Sequence, residues 1–288
     1  MSETLKNTYA EKINKVCDYI SEHLNEDLSV EALSQVANFS RYHFHRQFSE
    51  YTGINVARFI LLMRLKRASY QLVFNKYYRI IDIALEAGFE NPESFSRAFK
   101  KMFGQTPSQF RQKPDWISWN GKYTAATIER KGTLNIDIVE FDETKVAVYE
   151  HCGAAERLND SVSIFIEWRK QSGLSPVVNS NTFGIPYGDP GVVGPEKFRF
   201  DICGSVKCDV PQNPQGVITK IIPAGRCAVL RHLGSHDVMD DKVRYLYAEW
   251  LPRCDESLRD FPCFFHYVNL FPEVDEHELI TDIYLPLK

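Results

Sequence analysis

Apolar positions along this chain keep helical spacing over the first 113 residues, then switch to alternation from Leu134 onward. The pattern predicts a helical half followed by a half built on strands. In residues 9–24, Ile13, Val16, Cys17, Ile20 and Leu24 fall on one helical face. Between residues 79 and 111 an apolar segment, Ile80 to Leu85, ends at Ala87-Gly88-Phe89. A polar corner, Glu90-Asn91-Pro92, follows, and a second amphipathic helix runs to Phe103 and stops at Gly104. Proline suits the first turn of a helix because its missing N–H would be unpaired there, and glycine suits the end. A helix, a tight turn and a second helix carrying Arg97, Lys100 and Lys101 on its outer face match a DNA-reading helix-turn-helix.

That stretch occurs twice. Val30, Leu33, Ala37 and Phe39 stand 50 residues before Ile80, Ile83, Ala87 and Phe89. Phe44, Phe48, Gly53 and Phe59 stand 51 before Phe95, Phe99, Gly104 and Phe110. An extra residue in the second turn accounts for the change of shift. Ser29 and Ser40 supply N-cap chemistry in the first copy. Between the copies, residues 55–74 read as one helix, roughly 30 Å long at about 1.5 Å per residue. Successive major grooves on one face of DNA lie about 34 Å apart. A rod of that length suits two recognition helices in adjacent grooves, its apolar side packing both copies and Arg58, Arg64, Lys66 and Arg67 facing solvent or phosphate.

The second half also repeats. Val146 to Gly153 aligns with Cys227 to Gly234 at a shift of 81, Glu167-Trp168 with Glu249-Trp250 at 82, Tyr187 with Tyr267 at 80, and Phe200-Asp201-Ile202 with Thr281-Asp282-Ile283 at 81. Each unit reads strand, helix, strand, strand. Two such units in pseudo-twofold symmetry predict one curved antiparallel sheet with both helices on one side. The concave face opposite, and the groove between the units, are then expected to be free for a ligand. The fold class is an all-α tandem helix-turn-helix domain followed by a duplicated α+β domain. The boundaries are 1–113, a linker over 114–130 in which Trp116 and Trp119 pack against one domain, and 131–288.

Charge sharpens the division. Residues 1–113 carry 16 Lys and Arg against 12 Asp and Glu, +4; residues 114–288 carry 18 against 26, −8; together they give the chain's −4. Opposite signs are expected if only the first half meets a polyanion. No apolar run reaches the roughly 20 residues that span a bilayer, and the start has no signal-peptide pattern, so a cytoplasmic protein with no membrane partner is expected. The seven cysteines have no C-x-x-C or zinc spacing and read as reduced thiols, with no metal site. There is no H-E-x-x-H, no G-x-S-x-G and no phosphate loop, so neither catalytic residues nor a cofactor are expected.

Residues 10–112 resemble the DNA-binding domain of the AraC/XylS family of bacterial transcription regulators. The resemblance is carried by Ala37-Asn38-Phe39-Ser40, Phe44 with Phe48, Arg64-Leu65 with Ala68, and Ile83-Ala84 with Ala87-Gly88-Phe89. Its most specific part is Phe95-Ser96-Arg97-Ala98-Phe99-Lys100, then Phe103-Gly104-Gln105-Thr106-Pro107 and Phe110-Arg111. It implies double-stranded DNA as partner, with bases read by Arg41, Tyr42, His45 and Arg46 on the first recognition helix and by Pro92, Glu93, Ser94 and Arg97 on the second. Arg46 and Arg97 are the best candidates, since a guanidinium pairs bidentately with guanine. Lys100 and Lys101 suit phosphate, which positions without reading sequence.

Residues 130–288 resemble the GyrI-like effector-binding domain through the two H-x-G turns, Glu249-Trp250-Leu251-Pro252, Phe198-Arg199-Phe200-Asp201 and the ending Thr281 to Leu287. The resemblance implies a small lipophilic effector in an aromatic cleft, with RNA polymerase recruitment or DNA affinity as its output. A glutamate that meets cationic ligands usually follows the Phe of a P-x-F-E-x-Y run; here the run is Pro262-Cys263-Phe264-Phe265-His266-Tyr267, and Phe265 takes that place. Candidate lining residues are Tyr149, Trp168, Tyr187, Trp250, Phe265 and Tyr267, with Glu249 as a substitute charge. The alternatives are a protein-interaction module of the gyrase-binding kind, or a small hydrolase.

Overall fold

The structure is a computed structural model that describes residues 3–26, 28–120, 134–190, 193–271 and 273–288. Most of the expected linker, residues 121–130, lies outside them. The chain forms two compact units, largely 3–120 and 134–288.

The first unit is helical. In order come α1 (Glu3–Glu22), α2 (Val30–Val36), α3 (Arg41–Thr52), α4 (Val56–Phe74), α5 (Ile80–Glu86), α6 (Pro92–Phe103), α7 (Pro107–Gln112) and α8 (Trp116–Asn120). The helix starts are fixed by side-chain caps. Ser29 accepts from the Ala32 N–H (3.2 Å), Ser40 from His43 (3.4 Å), Asn55 from Arg58 (2.9 Å) and Asn91 from Ser94 (2.8 Å). α3 and α6 both end at a left-handed glycine, Gly53 and Gly104.

Two cores share α4. Ile13, Val16 and Ile20 of α1 pack with Leu33, Phe44, Phe48 and Phe59; Leu62, Leu65 and Leu72 of α4 pack with Ile83, Phe95, Phe99 and Phe110. One end of α4 serves the first core and the rest serves the second, so α4 is apolar on several sides. Trp116 and Trp119 complete the second core, with Trp116 5.2 Å from the Phe110 ring.

The cations of α4 depart from expectation. Arg58 is exposed, but Lys66 is buried and two arginines turn inward. Arg64 donates to the carbonyls of Leu24 (2.9 Å) and Glu26 (3.0 Å), and Arg67 to Asn25 (3.2 Å). The Leu24 and Glu26 carbonyls lie in the turn that follows α1, outside any helix, and the donors of Arg64 satisfy them.

Arg64 also explains Gly88. This residue is left-handed (φ +78°), and a Cβ there would lie 2.8 Å from Arg64 Nη1. Its counterpart Asn38 is left-handed as well (φ 52°). Gly88→Ala is expected to cost about 1–2 kcal/mol for backbone strain alone, and more for displacing Arg64. Gly104→Ala, at φ +75° with open space around it, carries only the strain. Urea unfolding of the two variants separates the terms; equal losses would exclude a role for the Arg64 contact.

The second unit is one eight-stranded antiparallel sheet with the order β1-β6-β8-β7-β3-β4-β2-β5. The strands are β1 (Ile136–Phe141), β2 (Thr144–Cys152), β3 (Thr182–Pro186), β4 (Arg199–Ser205), β5 (Ile218–Ile222), β6 (Gly225–Leu233), β7 (Phe264–Tyr267) and β8 (Ile280–Pro286). Helix α9 (Leu158–Ser172) crosses from β2 to β3, and α10 (Met239–Tyr245), continued by a π-helical turn (Leu246–Trp250), crosses from β6 to β7.

The repeat is one strand longer than the sequence suggests: strand, strand, helix, strand, strand. The first strand of each unit is exchanged, β1 pairing with β6 of the other unit and β5 with β2. The units meet at a short seam, where Thr182, Phe183 and Gly184 of β3 face Tyr267, His266 and Phe265 of β7.

Both helices lie on one side of the sheet, where Phe165, Trp168, Met239 and Leu246 pack on Ala147, Ile202, Ala228, Leu230 and Ile283. The concave side is not free for a ligand. Val146, Val148, Phe183, Ile185, Cys203, Ile222, Cys227 and Phe264 are buried there, with Phe141 and Tyr284 beside them. The reason is curl. β1 and β3 are four strand steps apart, about 19 Å in a flat sheet, yet the Phe141 and Phe183 rings have centroids 6.2 Å apart. The sheet rolls until its concave face fills with its own side chains.

Candidate DNA-reading face and effector groove

On α3, Phe44 and Phe48 point into the core, while Arg41, Tyr42, His45 and Arg46 are exposed, Tyr42 to 88%. On α6, Phe95, Phe99 and Phe103 are buried, and Glu93, Arg97, Lys100 and Lys101 are exposed. Residues four apart share a helix face, so Tyr42 with Arg46 and Glu93 with Arg97 form matching pairs, 51 residues apart, on equivalently capped helices. Arg41 pairs with Glu31 of α2, and a backbone N–H, then that arginine, hold the Glu31 carboxyl below the usual range. Pro92 and Ser94 are half-buried: Pro92 occupies the first helical turn, and the Ser94 hydroxyl accepts from Arg97 (3.4 Å). Lys100 and Lys101 lie in the last turn of α6, where cations are favoured by the helix dipole. The same 51-residue shift makes Ser96 the counterpart of His45, and His43 the counterpart of Ser94.

The seven candidate effector residues do not all converge. Trp168 (2% exposed) stacks on Phe165 with centroids 5.5 Å apart, and Phe265 (6%) lies in the same core between sheet and helices. Tyr149, Trp250 and Tyr267 are half-buried at its edge. Tyr187 is elsewhere: Phe183, Ile185 and Tyr187 alternate onto the concave side, and its hydroxyl donates to Asp201 (2.8 Å). Burial, then the Asp201 bond, raises that phenol to about 12. Matching Tyr187 to Tyr267 by sequence slipped the register by one, and a one-residue slip exchanges sheet faces. Glu249 is exposed on its helical turn, 3.7 Å from Arg253, and supplies no charge to the core.

The concave side carries two buried carboxylates, Asp201 and Asp282. Lys220 bridges Asp201 and Glu150 at 2.6 Å each, and Arg231 pairs with Asp282 at 2.7 and 2.8 Å. His266, cross-strand from Asp282 and Phe183, packs its ring at a tilt against Phe183 with centroids 5.0 Å apart. Burial lowers the His266 pKa; Asp282 opposes that and Arg231 adds to it. Below about pH 6.5 the unfolded chain takes up a proton that the folded imidazole resists, so stability falls with pH until the folded pKa is passed. His266→Phe is expected to flatten this part of the urea-midpoint profile between about pH 7.5 and about pH 5.5. An unchanged slope would exclude His266 as its source. Among the described residues, no group of three or more His, Cys, Asp and Glu has the geometry to hold a metal.

Comparison with known proteins assigns both units. Residues 134–288 match the family described as GyrI-like small molecule binding domain, and residues 33–113 match the family described as Helix-turn-helix domain. The chain belongs to the GyrI-like family and carries an AraC-type helix-turn-helix domain ahead of it. It is similar to the Probable transcriptional regulator YgiV of Escherichia coli (strain K12), 46% identical over 155 residues, 54% of this chain and 97% of that one. It is also similar to the Uncharacterized HTH-type transcriptional regulator YbfP of Bacillus subtilis (strain 168), 42% identical over 103 residues, 36% of this chain and 35% of that one. Among solved structures, the one titled Cryo-EM structure of EcmrR-DNA complex in EcmrR-RPo aligns over 90% of this chain and 98% of its own, at 15% identity and a TM-score of 0.46. The protein is a DNA-binding transcriptional regulator with a small-molecule-binding domain.

Proposed function

We propose that the two recognition helices of one chain read a single asymmetric DNA site through adjacent major grooves, and that a small lipophilic molecule bound by the second unit changes DNA affinity or RNA polymerase recruitment. The observation that carries the reading is the pairing of Arg46 with Arg97. Each is exposed at the same place on an equivalently capped helix, and α4, 19 residues and about 28 Å long, joins the two copies. DNA is read by residues 1–113, the effector is held by residues 131–288, and the protein works in the cytoplasm as a regulator without a catalytic step. No helix among the described residues is long and apolar enough to cross a membrane.

The test is selection of bound duplexes from a random DNA pool by the full chain. The expected product is a non-palindromic site with two elements about one helical turn apart; a palindrome, or a single element, excludes tandem reading by one chain. With that site in hand, neutral and cationic aromatic compounds are screened for a change in its affinity and in transcription from it. A compound that binds the second unit and changes neither excludes effector control.

A further inference from the structure

The two recognition helices carry opposite charge at matching places. Residues four apart share a helix face, so Tyr42, Arg46 and Glu50 run along the exposed side of α3, and Glu93, Arg97 and Lys101 along that of α6. The 51-residue shift sets Tyr42 on Glu93, Arg46 on Arg97, and Ser49-Glu50 on Lys100-Lys101. The central arginine is kept, while the C-terminal end changes from an acid in the first copy to two lysines in the second. The N-terminal residues of a recognition helix contact base edges, and its C-terminal end can meet the phosphate backbone.

Helix stability does not explain Glu50. An acid in the last turn opposes the helix dipole. The last turn of α3 holds no cation, and Glu50 is exposed with no ion-pair partner among the described residues. α6 has the favoured arrangement, with Glu93 in its first turn and Lys100 and Lys101 in its last.

The first copy loses a further cation to pairing. Arg41, at the start of α3, is held by Glu31. At the corresponding places the second copy has Pro92 and Ile81, neither of them charged. What remains on α3 is Arg46 against Glu50, with no net charge, whereas α6 offers Arg97, Lys100 and Lys101 against Glu93, a net +2.

We infer that the two copies engage DNA unequally: the second grips any duplex through its phosphates, and the first closes only where its own half-site is present, with Glu50 as the residue that sets this condition. The inference rests on tandem reading by one chain. Once the second copy is on DNA, the first meets it as an intramolecular partner. It engages only if the base contacts of Tyr42, His45 and Arg46 outweigh the repulsion between Glu50 and phosphate. Two unit charges about 7 Å apart in water change affinity about threefold. The first copy also has no counterpart of the two lysines, each able to release about one counterion from DNA.

The experiment is a fluorescence-anisotropy titration of the full chain at several salt concentrations, on the selected site and on a scrambled duplex of the same composition. On the scrambled duplex, Lys101→Ala is expected to weaken binding about threefold to tenfold and to lower the log–log salt slope by about 0.9, one phosphate's worth. Arg46→Ala, and Arg58→Ala at the start of α4, are expected to change that binding less than about twofold, although Arg46→Ala weakens the selected site about fivefold or more. Glu50→Lys is expected to tighten the scrambled duplex about threefold to tenfold and to steepen its slope by about 0.9. These side chains are all exposed, so the variants keep the fold.

Arg46→Ala or Arg58→Ala weakening the scrambled duplex as much as Lys101→Ala overturns the division of roles, as does Glu50→Lys without effect there. A native chain that does not bind the scrambled duplex at low salt overturns it too. Glu50→Ala that relaxes base preference at one position would make Glu50 a reader of bases, with the same consequence. In each case tandem reading stands if Arg46→Ala and Arg97→Ala both weaken the selected site; if neither does, tandem reading fails and the division falls with it.

Discussion

Truncating Phe99 to alanine is expected to remove about 3–5 kcal/mol from the stability of the first unit, a larger loss than Gly88→Ala or Gly104→Ala should cause. Phe99 is fully buried, and its ring lies between Phe95 (5.5 Å), Phe103 (4.7 Å) and Phe110 (5.4 Å). The helix that presents Arg97 two residues earlier depends on that cluster, so the loss reaches function as well as stability. A cavity bounded by three further rings cannot collapse without moving α6 or α7. The measurement is urea unfolding of the first unit, followed by the fluorescence of Trp116 and Trp119, which sit in the same core. Phe48→Ala, at the equivalent place in the first copy, should act similarly through Phe44 and Phe59. A loss below about 1 kcal/mol for Phe99→Ala would mean that the second core is not a close-packed cluster.

The second large effect concerns DNA. Arg97→Ala and Arg46→Ala are each expected to weaken binding to the selected site by about 1–3 kcal/mol and to relax base preference at one position. Lys100→Ala and Lys101→Ala are expected to weaken all sequences alike and to lower the salt dependence, because phosphate contacts carry no sequence information. Mobility-shift titrations at several salt concentrations distinguish the two behaviours. Unchanged affinity in both arginine variants would remove α3 and α6 as reading helices. If only Arg97→Ala matters, the site is read by the second copy and the first one positions.

The helical half was legible because its signals are local. Phe44 and Phe48, or Phe95 and Phe99, four residues apart, define a buried face by helix geometry alone, and caps such as Ser40 and Asn91 act within three residues. The exposed face then follows as the remainder, and with it Arg46 and Arg97. The same locality hid the role of Arg64. Its partners Leu24 and Glu26 lie some 40 residues away, and a cation on a long helix reads as a surface side chain until the end of α1 is placed beside it.

The second half was harder for a physical reason. Alternation assigns side chains to two faces but does not say what covers either one, and a register error of one exchanges them, as happened with Tyr187. The strand exchange of β1 and β5 is equally invisible, since each precedes its own unit in sequence and pairs in the other one.

By itself the sequence determined the two duplications, the helix-turn-helix with its outward arginines, and the replacement of an expected glutamate by Phe265; each depends on residue type at short spacing. Only the tertiary structure decided that the sheet curls until Phe141 meets Phe183, which closes the concave face. Curl and helix placement are summed over eight strands, and no local window of residues contains that sum.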